Sequence, residues 1–569
     1  MWLGLDWVIW VVLVGYFITM IMIGWWSRRV ADTQEGYLVG NRRFGVISMI
    51  MHAFGAGTNP GDAAGVISKT VAGGASGIWV SWMWMFGTPF YWLIAPIIRR
   101  MRALTMADYF HQRFSGSAAV LYVCAATVGM TVCLASVLLA TTRTVQGMMG
   151  MMGIPTEDNW FFGILLIMTI AFMLYGYWGG IVAAVRTDVI QGFMIIILSF
   201  IAVPAALGLE TVGSLGTMNA TVSAQKGAGY LDLFGGGFSM GSVILLCINA
   251  PLVALALPHL VTVAGAGKTV WESRVGFACG NMLKRICTIG WSVLGLAWLA
   301  HLCHQGTPIT SEVADAAFGD SIRHLLPPLL QGLMLACVMA AAMSSGDAFQ
   351  VTVAGLISQN IYRQYINPKA DDKKTLLVTK IAGLVIVFAS LGIAIHMRDS
   401  VVRTIMVYFN ILALTGIPVA IGLVWRRMNT PGVFASILGA SLIFYLLRNE
   451  AVQKFLGQQL GDSYSQIASE LKIGLPIATG IVAGIVASLL TRKPDSEQVD
   501  RFFSKIYTPV GSEDKLGQPL DEAVPPSQRL CTAGGLFIVK PARQSWVGFL
   551  AVLAACVACV VIMLAILKA

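Results

Sequence analysis

Two hydroxyls and a carboxylate, Ser344, Ser345 and Asp347, stand in the stretch AAMSSGDAFQ (341–350), inside an apolar run that begins at Leu325 and continues through VTVAGLI. A charge in a segment apolar enough to cross a bilayer costs at least about 2.5–3.5 kcal/mol on insertion scales, and an intramembrane carboxylate is a functional candidate by default. On a helix, Ala341, Ser344, Ser345 and Ala348 share one face at i, i+3, i+4 and i+7 spacing, with Asp347 beside Ser344. Hard cations take oxygen ligands. Two hydroxyls and the main-chain carbonyls of a facing unwound segment form a nearly neutral oxygen cage, suited to a monovalent ion. The same small residues could instead let two helices pack closely, with the hydroxyls returned to backbone carbonyls; spacing alone leaves both readings open.

Two segments could supply those carbonyls. MIMHAFGAGTNPGDAAGVIS carries Gly55, Gly57, Pro60 and Gly61 near mid-membrane, and CINAPLVALALPHLVTVAGAG is interrupted by Pro251 and Pro258. Gly and Pro are common in membrane helices, but these two interruptions lie five helices apart. Interrupted segments at corresponding positions of two halves point to an inverted-repeat transporter, whose site lies at the breaks. Asn59, Pro60 and Asp62 on the first break and Asn249 on the second would then line a midplane solute pocket.

The surrounding chain has the composition this requires. It has 569 residues, 57% hydrophobic and 12% charged, so its long apolar runs cannot all be hidden in soluble cores. With about 20 residues as the spanning unit, about fourteen candidate helices fall near 4–26, 45–68, 77–98, 117–151, 160–177, 184–208, 241–265, 283–303, 326–361, 374–396, 401–425, 430–448, 473–491 and 545–567. The first lacks a basic leader and a small-residue cleavage site and is expected to be retained. Alternate connections are basic (IIRRMRALTMADYFHQRF, YRQYINPKADDKK, WRRMN), whereas those at 209–240, 304–324 and 449–470 are sparse in Lys and Arg. The positive-inside rule therefore places both termini outside, and the net charge of +10 reflects topology, with no nucleic-acid partner implied.

This reading divides the chain into a first helix and cytoplasmic loop (1–44), a transport core (45–425), two peripheral helices (426–491), a cytoplasmic loop (492–544) and a last helix (545–569). Ten cysteines are scattered without metal-ligand spacing between segments, and Cys556 and Cys559 share a helix face as packing residues. His301, Cys303 and His304 in HLCHQ sit at a helix end with no carboxylate near in sequence. No strand–glycine–helix phosphate loop is present, so ATP drive is unsupported. An enzyme, an organic cofactor and an obligate protein partner are not expected.

MAAAMSSGDAFQVTVAGLISQNIYR and YGYWGGIVAAVRTDVIQGFMI (175–195), with YLVGNRRF and LTMADYFHQRF flanking early spans, resemble the sodium:solute symporter family from about Leu5 to Thr430. The resemblance implies an all-α polytopic membrane protein with a LeuT-type core, ten helices in two inverted five-helix repeats, in the plasma (inner) membrane. It implies a principal sodium site of Gly55, Thr58, Ala341, Ser344 and Ser345, with Na+ as coupling ion. A second cation site in some members maps onto Asp188, Ser344, Asp347 and Ala348, where Asp347 and Ala348 replace expected hydroxyls. Two carboxylates sharing such a site cannot both ionise cheaply, so a proton could substitute for the ion; alternatively, Asp188 could pair structurally with Arg186. The LPH segment is similar to proline- and acetate-transporting members, yet Val263 stands where those have arginine. The expectation is sodium-coupled symport of a small organic solute by alternating access, an amino acid or small carboxylate in preference to a sugar. The alternative is a membrane sensor that keeps the transporter fold and signals through 492–544.

Overall fold

The computed structural model describes residues 5–27, 40–150, 157–235 and 238–569. Among these, eight helices are long and apolar enough to cross a membrane: Gly116–Met149, Val182–Leu207, Val270–His304, Pro328–Ile366, Asp372–His396, Val401–Val424, Ile467–Leu490 and Arg543–Lys568. Two bent pairs, Met240–Ala256 with Pro258–Gly265 and Thr430–Leu446 with Glu450–Gln459, raise the number to ten if each is one span. Trp7–Ile23, Val46–Gly57 and Asn159–Ile170 are shorter apolar helices.

The differences from the fourteen expected segments are local. The third is irregular: Trp79–Trp82 and Tyr91–Met101 are α-helical, and Met85–Phe90, which contains Pro89, is a 3-10 turn between them, because proline withholds an N–H from the ladder. The expected spans at 160–177 and 184–208 both fall within the helical stretch Glu157–Leu207, whose apolar parts are Asn159–Ile170 and Val182–Leu207. The helix expected from 283 starts thirteen residues earlier, at Val270, where Thr269 and Glu272 form a reciprocal capping box. The helix breaks also move. Gly55 and Gly57 stay inside Val46–Gly57, and Pro60 opens the next helix, leaving Thr58 and Asn59 extended. Pro251 is absorbed within Met240–Ala256, and the 57° bend falls at Leu257 and Pro258.

Glycines set how closely these helices approach. A Cβ at Gly276 would lie 2.4 Å from Met49 Cβ, and one at Gly280 2.5 Å from the Ile50 carbonyl oxygen. Small residues at such crossings let backbones touch, so Val46–Gly57 lies directly on Val270–His304. Gly416 plays the same part between Val401–Val424 and Met240–Ala256, where a Cβ would stand 1.8 Å from Leu252 O.

The two ends of the bundle differ in character. At one end Thr211 Oγ1 meets His301 Nδ1 at 2.8 Å, Trp298 stacks with His301 and His324, and Asn219 Nδ2 donates to Ile566 O at 2.9 Å. The sparse 209–240 and 304–324 connections and the C-terminal helix end therefore share a face; Ser311–Leu325 adds a helix to that surface that the hydropathy pattern does not mark. At the other end the basic connections meet: Thr105 Oγ1 donates to Asn360 Oδ1 at 2.6 Å, Asn360 Nδ2 to Asp108 Oδ1 at 2.8 Å, and Arg42 Nη2 to Ala103 O at 3.1 Å.

The segment 492–544 is ordered on that second end. Its helix Ser496–Tyr507 buries Val499, Phe502, Phe503 and Ile506, an amphipathic pattern. A two-stranded sheet, Arg529–Cys531 with Ile538–Val539, follows. Phe537 N donates to Val424 O at 2.7 Å, satisfying a carbonyl that the helix end leaves open, and Arg426 N donates to Gly535 O at 2.8 Å. Arg426 pairs with Asp500, Arg102 Nε with Glu513 at 2.7 Å, and Lys505 Nζ donates to Gln112 Oε1 at 3.0 Å.

Gly416→Val should lower the thermal unfolding temperature in detergent, by the equivalent of about 1–3 kcal/mol for overpacking, because backbone must move. Gly392→Ala, in a helix position with nothing within 4 Å of the added carbon, should be neutral or slightly stabilising. Equal effects of the two substitutions would show that the Gly416 crossing is loose.

Candidate functional site

The hydroxyl pair faces the first helix break. Val46–Gly57 ends at Thr58, whose backbone is extended (φ −118°, ψ 106°); Gly55 O still accepts from the Thr58 N–H at 3.1 Å, and the other carbonyls of the last turn lack the N–H partners a continuing helix would supply. Ser345, fully buried, donates from Oγ toward Thr58 O at 3.2 Å and Gly55 O at 3.4 Å. Ala341, one turn earlier on the serine helix, lines a small cavity together with Thr58, Asn59 and Pro60. A Cβ at Gly55 would sit 2.8 Å from Ser344 Oγ and 3.0 Å from Asp188 Oδ1. Gly55 thus leaves open the space where these oxygens converge. Ser344 Oγ and Asp188 Oδ1 are buried side by side, neither in a hydrogen bond of good geometry. Buried oxygens in that condition are costly unless something is bound, and their chemistry fits a hard cation.

Asp188 does not rely on its sequence neighbour. Its Oδ2 lies 2.5 Å from His52 Nδ1, with both side chains fully buried, whereas the Arg186 guanidinium stands 4.6 Å over the Trp26 ring. His52 lies one turn before Gly55 on the same helix, and its role was not visible in the sequence because a lone histidine in an apolar run carries no spacing signal. Asp347 is also buried, at 5% exposure, within electrostatic reach of Asp188, and no ion pair among the described residues includes it. Ala348 is buried beside it. The four second-site positions therefore sit on two neighbouring helices, with His52 added from a third.

A further pair closes the break. Lys284 Nζ lies 2.7 Å from Asp62 Oδ2 and donates to Gly57 O at 2.6 Å, with both side chains about 95% buried. Asp62 Oδ2 in turn accepts from the Asn59 N–H at 2.9 Å. A cation at the carbonyl end of one half-helix and a carboxylate in the first turn of the next oppose the two helix dipoles. The close approach at Gly276 and Gly280 explains the placement, since Lys284 is the next residue at i+4 spacing on that face. Sequence reasoning named Asp62 but not Lys284; a lysine within an apolar helix was the available signal.

Lys284 also lines a cavity, together with Asn59, Arg285, His259, Tyr408 and Val263. Trp84, Tyr91, Phe277 and Phe349 supply its apolar walls. Pro60 lies on the adjoining smaller cavity with Asn59. Asn249 is fully buried, and neither of its amide atoms has a hydrogen-bond partner; it is not among the residues lining either cavity. Pro258 places His259 and Val263 there, while Pro251 leaves Asn249 inside its helix.

His301 is engaged by Thr211 and Trp298, and no group of three or more His, Cys, Asp or Glu among the described residues could hold a metal ion. Cys556 and Cys559 are free and buried, with Cys556 Sγ 3.5 Å from Met85 O. The segment 175–181 falls where side chains lie outside the described residues, as do Tyr37, Leu38 and Val39 of YLVGNRRF.

Removing one member of the Asp62–Lys284 pair leaves a buried charge alone, a loss of about 3–5 kcal/mol. Asp62→Asn and Lys284→Met should each lower thermal stability strongly, and the double variant should recover a large part of the loss. Additive losses in that double-mutant cycle would mean that the two groups do not act as a pair.

The sodium:solute symporter family matches residues 37–439, well over half of the chain. The chain is 24% identical over 440 residues to the osmoregulated proline transporter OpuE of Bacillus subtilis, covering 75% of this chain and 86% of that one. It is likewise 24% identical over 475 residues to the sodium/pantothenate symporter of Escherichia coli, covering 78% and 91%. Its fold is shared with a Na+-coupled sialic acid symporter solved in a substrate-bound, outward-open state, at a TM-score of 0.65 and 16% identity over 86% of this chain and 99% of that one. A break between Gly57 and Pro60, a hydroxyl pair set against it and a family match that spans both identify the chain as a member of the sodium:solute symporter family.

Proposed function

We propose that this protein carries out sodium-coupled symport of a small organic solute by alternating access, and that the solute is an amino acid or small carboxylate in preference to a sugar. The observation that carries the reading is the Ser345 hydroxyl within hydrogen-bond reach of both the Gly55 and Thr58 carbonyls at a helix break. Gly55, Thr58, Ala341, Ser344 and Ser345 would form the sodium site, and Asn59, Pro60 and Asp62 would border the solute. The relatives named for proline and pantothenate, and the structural neighbour named for sialic acid, support the solute class, because each of those solutes bears a carboxylate. The core would occupy 45–425 of a chain crossing an inner or plasma membrane about fourteen times with both termini outside; the sparse connections at one end and basic ones at the other support that orientation.

Asp188, Ser344 and Asp347 would form a second site, for a cation or a proton. His52 at 2.5 Å from Asp188 adds a nitrogen to it that the family resemblance did not include.

In proteoliposomes, an inward sodium gradient should drive uptake of the solute. Ser344→Ala with Ser345→Ala should raise the sodium concentration for half-maximal uptake at least tenfold, because a desolvated ion loses ligands, and should weaken solute binding by linkage. Unchanged sodium dependence would leave only the helix-packing reading of the two serines. Solute binding without any uptake would return the protein to the sensor alternative.

Asp347→Asn offers a second test. If a second sodium binds, it should lower the measured ion-to-solute ratio by one while transport persists. If a proton binds there, it should flatten the pH profile of uptake. No change in flux, ratio or pH profile would make Asp347 a satisfied structural group.

A further inference from the structure

The cavity beside the first helix break is unbalanced in charge. Its lining includes two cations, Lys284 and Arg285, and no carboxylate. Lys284 is neutralised from behind by Asp62 at 2.7 Å. Arg285 is not: among the described residues no carboxylate lies within ion-pair distance of it, although it is only 1% exposed. Its guanidinium donates from Nη1 to Ser81 O at 3.2 Å and from Nη2 to Thr88 Oγ1 at 3.5 Å, and its buried Nε has no partner. A guanidinium offers five donors in a planar fork, so this one keeps donor capacity unused in a site where an unpaired charge is costly.

We infer that Arg285 is the residue that binds the carboxylate of the solute, so that the cavity selects a monoanionic carboxylate or the carboxylate end of an amino acid over neutral molecules of the same shape. The inference rests on the reading of this cavity as the solute site. The lock is made by the helix Val270–His304, because Lys284 and Arg285 are consecutive. One turns to the Gly57 carbonyl and Asp62, and the other donates to Ser81 O and Thr88 Oγ1. Arginine suits this task because its planar fork matches a carboxylate's two oxygens. Val263, which lines the same cavity, brings no charge. The aromatic walls of Trp84, Tyr91 and Phe349 favour a short apolar body on the solute.

The test uses the full chain in detergent at saturating sodium, with matched probes that differ only in the acid: proline and prolinamide, pantothenate and panthenol, and a series of straight-chain two- to six-carbon carboxylates and their amides. At least one acid should raise the unfolding temperature of the wild type where its amide does not. Arg285→Gln should weaken that acid at least tenfold, while the stabilisation produced by sodium alone persists. Arg285→Lys should retain part of the affinity. Equal binding of acid and amide by the wild type, binding of amides alone, binding of no acid in the panel, or unchanged acid affinity in Arg285→Gln would each overturn the inference. The wild-type comparison stands even if Arg285→Gln does not fold. Sodium-driven uptake of a neutral solute in proteoliposomes would overturn carboxylate selection and leave symport intact, whereas no sodium-driven uptake of any solute would remove the transport reading itself.

Discussion

Irregular backbone inside a membrane survives only where its polar groups are satisfied by protein, ion or water, and in this protein that constraint is met by one buried lysine. Lys284 holds the last carbonyl of Val46–Gly57 and the carboxylate of Asp62 at once, so the end of one half-helix and the start of the next are fixed to a third, continuous helix. Thr58 turns its carbonyl toward the serine helix and Asn59 its side chain toward the cavity, while the Asn59 carbonyl accepts from the Asp62 N–H. A continuous helix through 58–59 would take the Thr58 carbonyl into its own ladder.

The packing around this point uses small residues where backbones must touch and large ones where they need not. Gly276 and Gly280 bring the broken helix onto its support, and Gly55 leaves a gap into which Ser344 and Asp188 direct oxygen atoms. A methyl group at any of these places would force backbone or site atoms to shift. The apolar remainder, including Trp79, Trp82 and Trp298 in fully buried positions, fixes the surrounding helices while the polar atoms at the break stay partly unsatisfied. Polar groups left in that state in an otherwise complementary interior are the expected signature of a binding site.

The 492–544 segment extends this logic to one end of the bundle. Its Phe537 and Gly535 backbones complete the end of Val401–Val424, and Arg102, Gln112 and Arg426 tie it to three different parts of the same face. It is a fitted covering of helix ends, with an amphipathic helix of its own, and its contacts span elements that belong to separate parts of the helical bundle.

The sequence by itself determined the class of the molecule and marked the residues proposed for the ion cage. Hydropathy and the spacing of Ala341, Ser344 and Ser345 depend on local periodicity, which a single chain displays openly, and the GAGTNPGD stretch announced a break within a residue or two of Thr58. Sequence also marked the interrupted segment at Pro258. What it could not supply were partners between distant elements. His52 is 136 residues from Asp188 and Lys284 is 222 from Asp62, so nothing in either local pattern couples them; only the packing of four helices brings those groups together. Pro251 misled for the same reason, since whether a proline breaks a membrane helix depends on the neighbours that satisfy the freed carbonyl. Composition and period fix which segments are helical and which positions can be polar, but the pairing of buried charges is a property of the assembled bundle, where desolvation makes each unpaired group costly and tertiary contact alone decides its partner.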